Sequence, residues 1–117
     1  MTDKKFDEKR RHPRLAANFV ISYRIKKQPD GYDLSQTRNV SRGGLLLTTN
    51  RAFEKGTHLA ITVRFPFVAQ RMEFVGEVIE SRMVVRDLIY ETRIMFIDLD
   101  EQFLRELGEF IQSRLGK

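Results

Sequence analysis

Apolar and polar residues alternate along much of the chain, which is the pattern of strands with one side on a core. Residues 57–65 show it most clearly, because Leu59, Ile61 and Val63 fall on one face and mostly polar residues on the other. The same pattern, interrupted by turn residues, predicts six strands, over residues 18–25, 32–39, 45–47, 57–65, 72–85 and 88–97. The long fifth strand is expected to bend at Gly76. No strand–helix alternation is visible, so we predict a mainly β fold: a six-stranded antiparallel β-barrel with a C-terminal α-helix.

The C-terminal segment has the spacing of a helix, which we place at about residues 99–115. A capping box from Asp98 to Glu101 is expected to open it, and Gly116 suits its end. Its apolar residues recur every three or four positions; they are Phe103, Leu104, Leu107, Phe110, Ile111 and Leu115. This stripe is expected to pack on the barrel, and free docking of a partner helix is the alternative.

Composition narrows the class of protein. The chain has 117 residues, 41% hydrophobic and 32% charged, as expected of one folded domain rather than a disordered chain or a membrane-spanning protein. Cysteine is absent and no signal-peptide pattern is seen, so we expect a cytoplasmic protein. His12 and His58 are too far apart to suggest a metal pair, and no catalytic motif is found; we predict no enzyme activity, no cofactor and no metal.

The positive charge is concentrated at the N-terminus. Residues 1–14 hold six cations and three acids, which is +3 of the total +5. A duplex-binding protein spreads its cations over a face, whereas a short basic arm suits a small anion. We therefore divide the chain into a basic arm over residues 1–14, expected to order around a ligand, and a barrel with its helix over residues 15–117.

Within the arm, the run Lys9-Arg10-Arg11-His12-Pro13-Arg14 carries the candidate chemistry. Pro13 disfavours helix at the residue before it, and an extended chain places Arg10 and Arg14 on one side, roughly 13 Å apart. Two guanidinium groups so placed can grip a flat anion from both ends. A solvated basic tail is the plainer interpretation of the run alone.

A second candidate is the turn Asn39-Val40-Ser41-Arg42-Gly43-Gly44. Its side chains offer an amide and a hydroxyl, and its two glycines permit close backbone approaches that a Cβ would block. By itself such a sequence is more often an ordinary turn.

Together the two motifs resemble the PilZ domain, a bacterial receptor module for cyclic di-GMP. Both signatures of that family, RxxxR (Arg10 to Arg14) and (D/N)xSxxG (Asn39 to Gly44), are present in the family's order on either side of a first strand. The likeness continues through Gly76-Glu77-Val78 and the strand at residues 94–98, although Thr92 stands near where many members carry glycine.

The resemblance implies a cyclic di-GMP receptor that relays its signal to a protein partner. It implies that Arg10 and Arg14 grip guanine edges and phosphates, and that Asn39 and Ser41 address a guanine. Further residues expected at the site are Arg11, Gly43 and Gly44. One ligand molecule or a stacked pair is possible, and no membrane insertion is expected.

Two alternatives stay open. A PilZ-like adaptor that no longer binds the ligand would work through protein contacts alone. A small-barrel binder of single-stranded nucleic acid would need exposed aromatic rings, whereas alternation predicts that Phe19, Phe65, Phe74 and Phe96 face inward. Nucleic acid is therefore an unlikely partner.

Overall fold

The structure is a computed structural model that describes residues 13–28, 32–68 and 70–116. The elements in this part of the chain are β1 (Leu15–Ala16), β2 (Val20–Ile25), β3 (Asp33–Val40), β4 (Gly44–Thr49), β5 (His58–Val63), β6 (Met72–Val85), β7 (Ile89–Ile97) and α1 (Glu101–Arg114). The predicted strands are found at nearly the expected positions, and β6 has the predicted bounds.

Strands β2 to β7 form a closed barrel. Neighbouring strands pair antiparallel in the order β3-β2-β5-β6-β7-β4, and β4 returns to pair with β3. The predicted six-stranded antiparallel barrel with a C-terminal helix is thus confirmed. The sequence did not predict β1, a two-residue strand that pairs with the end of β3.

The apolar side chains of the alternating strands point into the barrel and fill it, as expected. Leu59, Ile61 and Val63 of β5 are at most 1% exposed. Phe65 and Phe74 are buried, and Phe19 and Phe96 are partly buried against the same core, so the prediction that these four rings face inward is confirmed. These four rings therefore offer no stacking platform of the kind that single-stranded nucleic acids require.

The barrel has two different ends. At one, which we call the helix end, β1, the turn 41–44 and α1 meet the mouth of the barrel. At the other, the hairpin end, β6 continues past β5 and forms a hairpin with β7 over residues 79–91, while β7 stays paired with β4 as far as Tyr90. Strand β4 runs from Gly44 to Thr49 between them, so the two ends are roughly 17 Å apart along this strand.

Helix α1 is fixed to the helix end by aromatic rings. Phe103 lies 5.7 Å from Phe65, and Phe110 lies 5.1 Å from Phe67, between ring centroids. Phe103, Leu107 and Ile111 are buried, which confirms that the apolar stripe packs on the barrel. Leu115 is the exception, because it is 38% exposed.

Two local predictions are wrong. The helix is capped by Asp100, whose carboxylate accepts the Gln102 N–H, and Asp98 instead takes a left-handed φ of 56° in the preceding turn. The irregularities in β6 lie between Val78 and Glu80 and between Met83 and Val85 rather than at Gly76. A Cβ on Gly76 would overlap the Ile94 side chain, so this glycine serves core packing.

Candidate ligand-binding site

Strand register brings Arg14, the last residue of the basic arm, to the turn at residues 41–44. Leu15 of β1 pairs with Val40, and Ala16 pairs with Asn39. Arg14 precedes Leu15 and Ser41 follows Val40, so these two residues are adjacent across the two strands. Arg14 is exposed. Arg10 and Arg11, like the rest of residues 1–12, lie outside the described residues.

A bulge in β3 sets which side chains face out. Thr37 and Val40 are both fully buried although they are three residues apart, because the β3–β4 register shifts between Thr37 and Asn39. Val40 points inward, so Asn39 and Ser41 on either side of it point outward. Ala16 pairs with Asn39, and alternation therefore places Arg14 on the same outer face. Three of the predicted site residues thus share one surface.

The turn itself is held by its own hydrogen bonds. The Ser41 N–H donates to the Gly44 carbonyl (2.8 Å), and the Ser41 hydroxyl accepts the Gly43 N–H (3.1 Å). The Gly43 carbonyl accepts the Phe96 N–H of β7 (3.0 Å). The turn is therefore a preformed edge beside the outward Asn39, and its serine already has a role in shaping it.

The close backbone approach expected of the two glycines is found at Gly44, where the backbone lies against a neighbouring strand of the barrel. A Cβ at this position would overlap the carbonyl oxygen of Ile94 in β7. The turn is thereby fixed against both β3 and β7.

Arg42 connects the turn to the helix. Its side chain lies across α1 at Gly108, where an added Cβ would stand 2.6 Å from Arg42 Cδ. The absence of a side chain at Gly108 makes room for the arginine stem. The candidate site and α1 are consequently in direct contact.

Thr37 is a positioning residue that sequence reasoning missed. Its buried hydroxyl donates to the Ala17 carbonyl (2.6 Å) and accepts the Phe19 N–H (2.9 Å), spanning the break between β1 and β2. It thereby holds β1, and with it Arg14, against β3. Threonine is common in strands, so the sequence carried no signal of this role.

Two other classes of site were sought. In residues 13–28, 32–68 and 70–116, no group of three or more histidine or acidic side chains could hold a metal ion. Among the described helices, none has the length and apolar character needed to cross a membrane.

Comparison with known proteins decides the family. The family model described as PilZ domain matches residues 8–113. The chain belongs to the PilZ domain family. This match spans both sequence motifs and continues to α1. Comparison with curated protein sequences finds no match.

Solved PilZ structures have the same fold at low sequence identity. The Bacillus subtilis inhibitor of motility MotI/DgrA superposes with a TM-score of 0.75 at 16% identity, over 91% of this chain and 51% of that one. The PilZ domain of Escherichia coli YcgR with c-di-GMP gives 0.65 at 18% identity, over 89% of both chains. The MrkH–c-di-GMP complex of K. pneumonia gives 0.62 at 16% identity, over 91% and 52%. This chain thus spans about half the length of MotI/DgrA and MrkH.

Thr92 fits this PilZ barrel without a glycine. It is fully buried, and its hydroxyl lies 2.9 Å from Thr49 Oγ1 and 2.6 Å from Ser81 Oγ. The larger side chain is therefore accommodated by a hydroxyl cluster inside the hairpin end.

Proposed function

We propose that this PilZ domain is a receptor for cyclic di-GMP and not an enzyme. The observation that carries the proposal is the β1–β3 register, which places Arg14 beside the turn from Asn39 to Gly44. Arg14 and this turn are separated in sequence and adjacent in the fold. The family match and the c-di-GMP bound to the YcgR and MrkH structures support this assignment.

The chemistry of the ligand fits the residues. Cyclic di-GMP carries two phosphodiester charges and two guanines, whose O6 and N7 atoms accept both arms of a guanidinium group. We assign this contact to Arg14 and Arg10, with Arg11 close to a phosphate. The outward Asn39 and the turn from Ser41 to Gly44 are assigned to a guanine edge.

The proposal includes a relay. When ligand binds, residues 1–14 close over it and change the surface around β1, which a protein partner then reads. The charge of the arm supports this step, because six of its fourteen residues are cationic and only Met1 and Phe6 are large and apolar. A cytoplasmic location accords with a soluble second messenger.

Calorimetric titration of cyclic di-GMP into the full chain tests the receptor assignment. We expect saturable binding, with a stoichiometry that distinguishes one ligand from a stacked pair, and no binding of GTP. Arg14→Ala should weaken binding by roughly tenfold to a hundredfold, because one charge-assisted contact contributes roughly 1.5–3 kcal/mol. Arg14→Lys should restore it only in part, since an ammonium lacks the planar fork.

Arg86→Ala is the matched control, because Arg86 is an exposed arginine in the turn of the distant hairpin. It should bind as the parent chain does. If the folded parent protein does not bind cyclic di-GMP, the receptor assignment is wrong and the adaptor interpretation replaces it. If Arg14→Ala and Arg86→Ala bind equally well, the ligand lies elsewhere on the domain.

A further inference from the structure

The hairpin end carries a strand edge that the barrel does not cover. Strand β5 pairs with β6 only as far as Glu77, and the last backbone bonds on that side join Val78 to Gly56 and Thr57. Beyond this point, in the part of the chain that the structure describes, β6 pairs with β7 alone, through residues 80–83 and Val85, with register shifts at Ile79 and Val84. Such an edge is a template for a further strand.

The edge is also unusually apolar for a surface. Met83 is 50% exposed and Val84 is 51% exposed. The other exposed apolar residues of the hairpin are Ile79, Val85, Leu88 and Ile89. A strand edge with exposed apolar residues that no other strand covers marks an interaction surface.

Charges on this edge identify the partner. We propose that the β6 edge pairs antiparallel with the same edge of a second copy of this chain, about a two-fold axis at Ser81. In that register Glu80 of each copy lies opposite Arg82 of the other. Opposite charges in directly facing strand positions stabilise a pair.

The charges already in the hairpin extend this complementarity. Within one chain Glu80 pairs with Arg93, and Arg82 pairs with Glu91, whose Oε1 lies 3.0 Å from Arg82 Nη2. Dimerisation would therefore place four charged side chains side by side on four neighbouring strands, with alternating sign. They are Arg93 and Glu80 of one copy, followed by Arg82 and Glu91 of the other. Arg82 keeps donors for both carboxylates, because its guanidinium has five N–H groups.

The same charges select the register. A shift of two residues in either direction would place Glu80 opposite itself or Arg82 opposite itself, and facing like charges are destabilising. The segment is thus complementary to itself in one antiparallel alignment. A two-fold axis also makes this contact closed, so it yields a dimer rather than a filament.

Sedimentation equilibrium of the full chain tests this dimer. We expect a monomer–dimer equilibrium with a midpoint on the order of 10–100 µM, because a strand-edge contact is smaller than a standard interface. Glu80→Arg and Arg82→Glu should each weaken the dimer by about fivefold or more, since two attractive pairs become repulsive. Glu109→Arg, the same charge reversal at an exposed position on α1, should leave the dimer unchanged.

Mixing the two variants distinguishes a loss of charge complementarity from damage to the fold as the cause of weaker dimerisation. In a mixed dimer every position 80 again faces an opposite charge at position 82, so equimolar Glu80→Arg and Arg82→Glu should associate as strongly as the parent chain. A parent chain that stays monomeric to about 500 µM overturns the proposal. So does a mixture no more dimeric than its components.

Discussion

The two ends of the barrel are built from the same strands and differ in what lies over them. At the helix end, five phenylalanines and α1 close the mouth, and the turn 41–44 is bonded to β7 and touches the helix through Arg42. At the hairpin end, β6 continues past β5 with apolar residues exposed. A preformed polar turn suits a small ligand, and an uncovered strand edge suits a protein.

Glycine substitutions at the two ends should give the largest difference. Gly44→Ala puts a Cβ onto the Ile94 backbone oxygen, which cannot move without separating β4 from β7. We expect a loss of about 3 kcal/mol in the free energy of unfolding, because a packed strand cannot relax around an added methyl group. Denaturant unfolding measures it.

The matched variant is Gly56→Ala, near the hairpin end. Gly56 has a φ of 91° and open space around its Cα, so the cost is backbone strain alone, about 1–2 kcal/mol. Equal losses at Gly44 and Gly56 would mean that the contact with Ile94 does not limit packing at the helix end.

Buried threonines offer the next comparison. Thr37→Val removes a hydroxyl that bonds both Ala17 and Phe19 and leaves two buried backbone groups without partners, at a cost of about 2–3 kcal/mol. Because Thr37 holds β1 beside β3, affinity for cyclic di-GMP should fall as well. Unfolding and calorimetry on the same variant measure both effects.

Thr92→Val is the control at the other end. The substitution removes the hydroxyl that contacts Thr49 and Ser81. Because Thr49 keeps its hydrogen bond to the Arg51 carbonyl, the free energy of unfolding should fall by only about 1 kcal/mol. Ligand affinity should stay unchanged. A loss of affinity in Thr92→Val that matches the loss in Thr37→Val would show that general destabilisation, rather than the position of β1, governs binding.

Tyr23 provides a pH-dependent test near the hairpin end. Burial raises the pKa of its phenol; a backbone hydrogen bond with Asn50 and the charge of Arg51 oppose the rise, and Asp33 adds to it. An unfolded tyrosine ionises near pH 10, whereas folded Tyr23 ionises at a higher pH. The contribution of the neutral phenol to the free energy of unfolding is therefore fully present below about pH 10, and it is lost as pH rises through the pKa of the folded protein.

Tyr23→Phe should therefore lose stability less steeply than the parent chain above about pH 10. At neutral pH it should cost about 1 kcal/mol for the lost hydrogen bond. Tyr32→Phe is the control, because Tyr32 is 64% exposed. Parallel alkaline curves for the parent chain and Tyr23→Phe would contradict the assignment.

The smallest effect is expected at the contact between turn and helix. Gly108→Ala displaces Arg42 from α1, while alanine favours the helix over glycine by about 1 kcal/mol. These terms oppose each other, so the free energy of unfolding should change by less than about 1 kcal/mol. A larger loss in thermal or denaturant unfolding would mean that the arginine stem contributes more to packing than the helix gains.

Sequence reasoning predicted the barrel and the helix correctly because each depends on a regular pattern. Alternation in residues 57–65 and the three-to-four spacing in residues 103–111 report burial directly. The two motifs then pointed to Arg14 and to the turn after Asn39.

What the sequence did not reveal depends on irregular backbone. A bulge between Thr37 and Asn39 reverses which side of β3 faces the core, and no residue type marks it. The same holds for the left-handed Asp98, which moved the helix cap to Asp100. The sequence did not predict the open edge of β6 either. Alternation shows which face of a strand is buried, but it does not show which strands are its neighbours in the sheet.

Hydrogen exchange across both ends, with and without saturating cyclic di-GMP, tests the central claim most directly. We expect slower exchange in residues 1–16 and 39–44 when ligand binds, and unchanged exchange in residues 79–91 at a concentration where the chain is monomeric. Unchanged exchange at the helix end, or ligand protection confined to the hairpin, would contradict it.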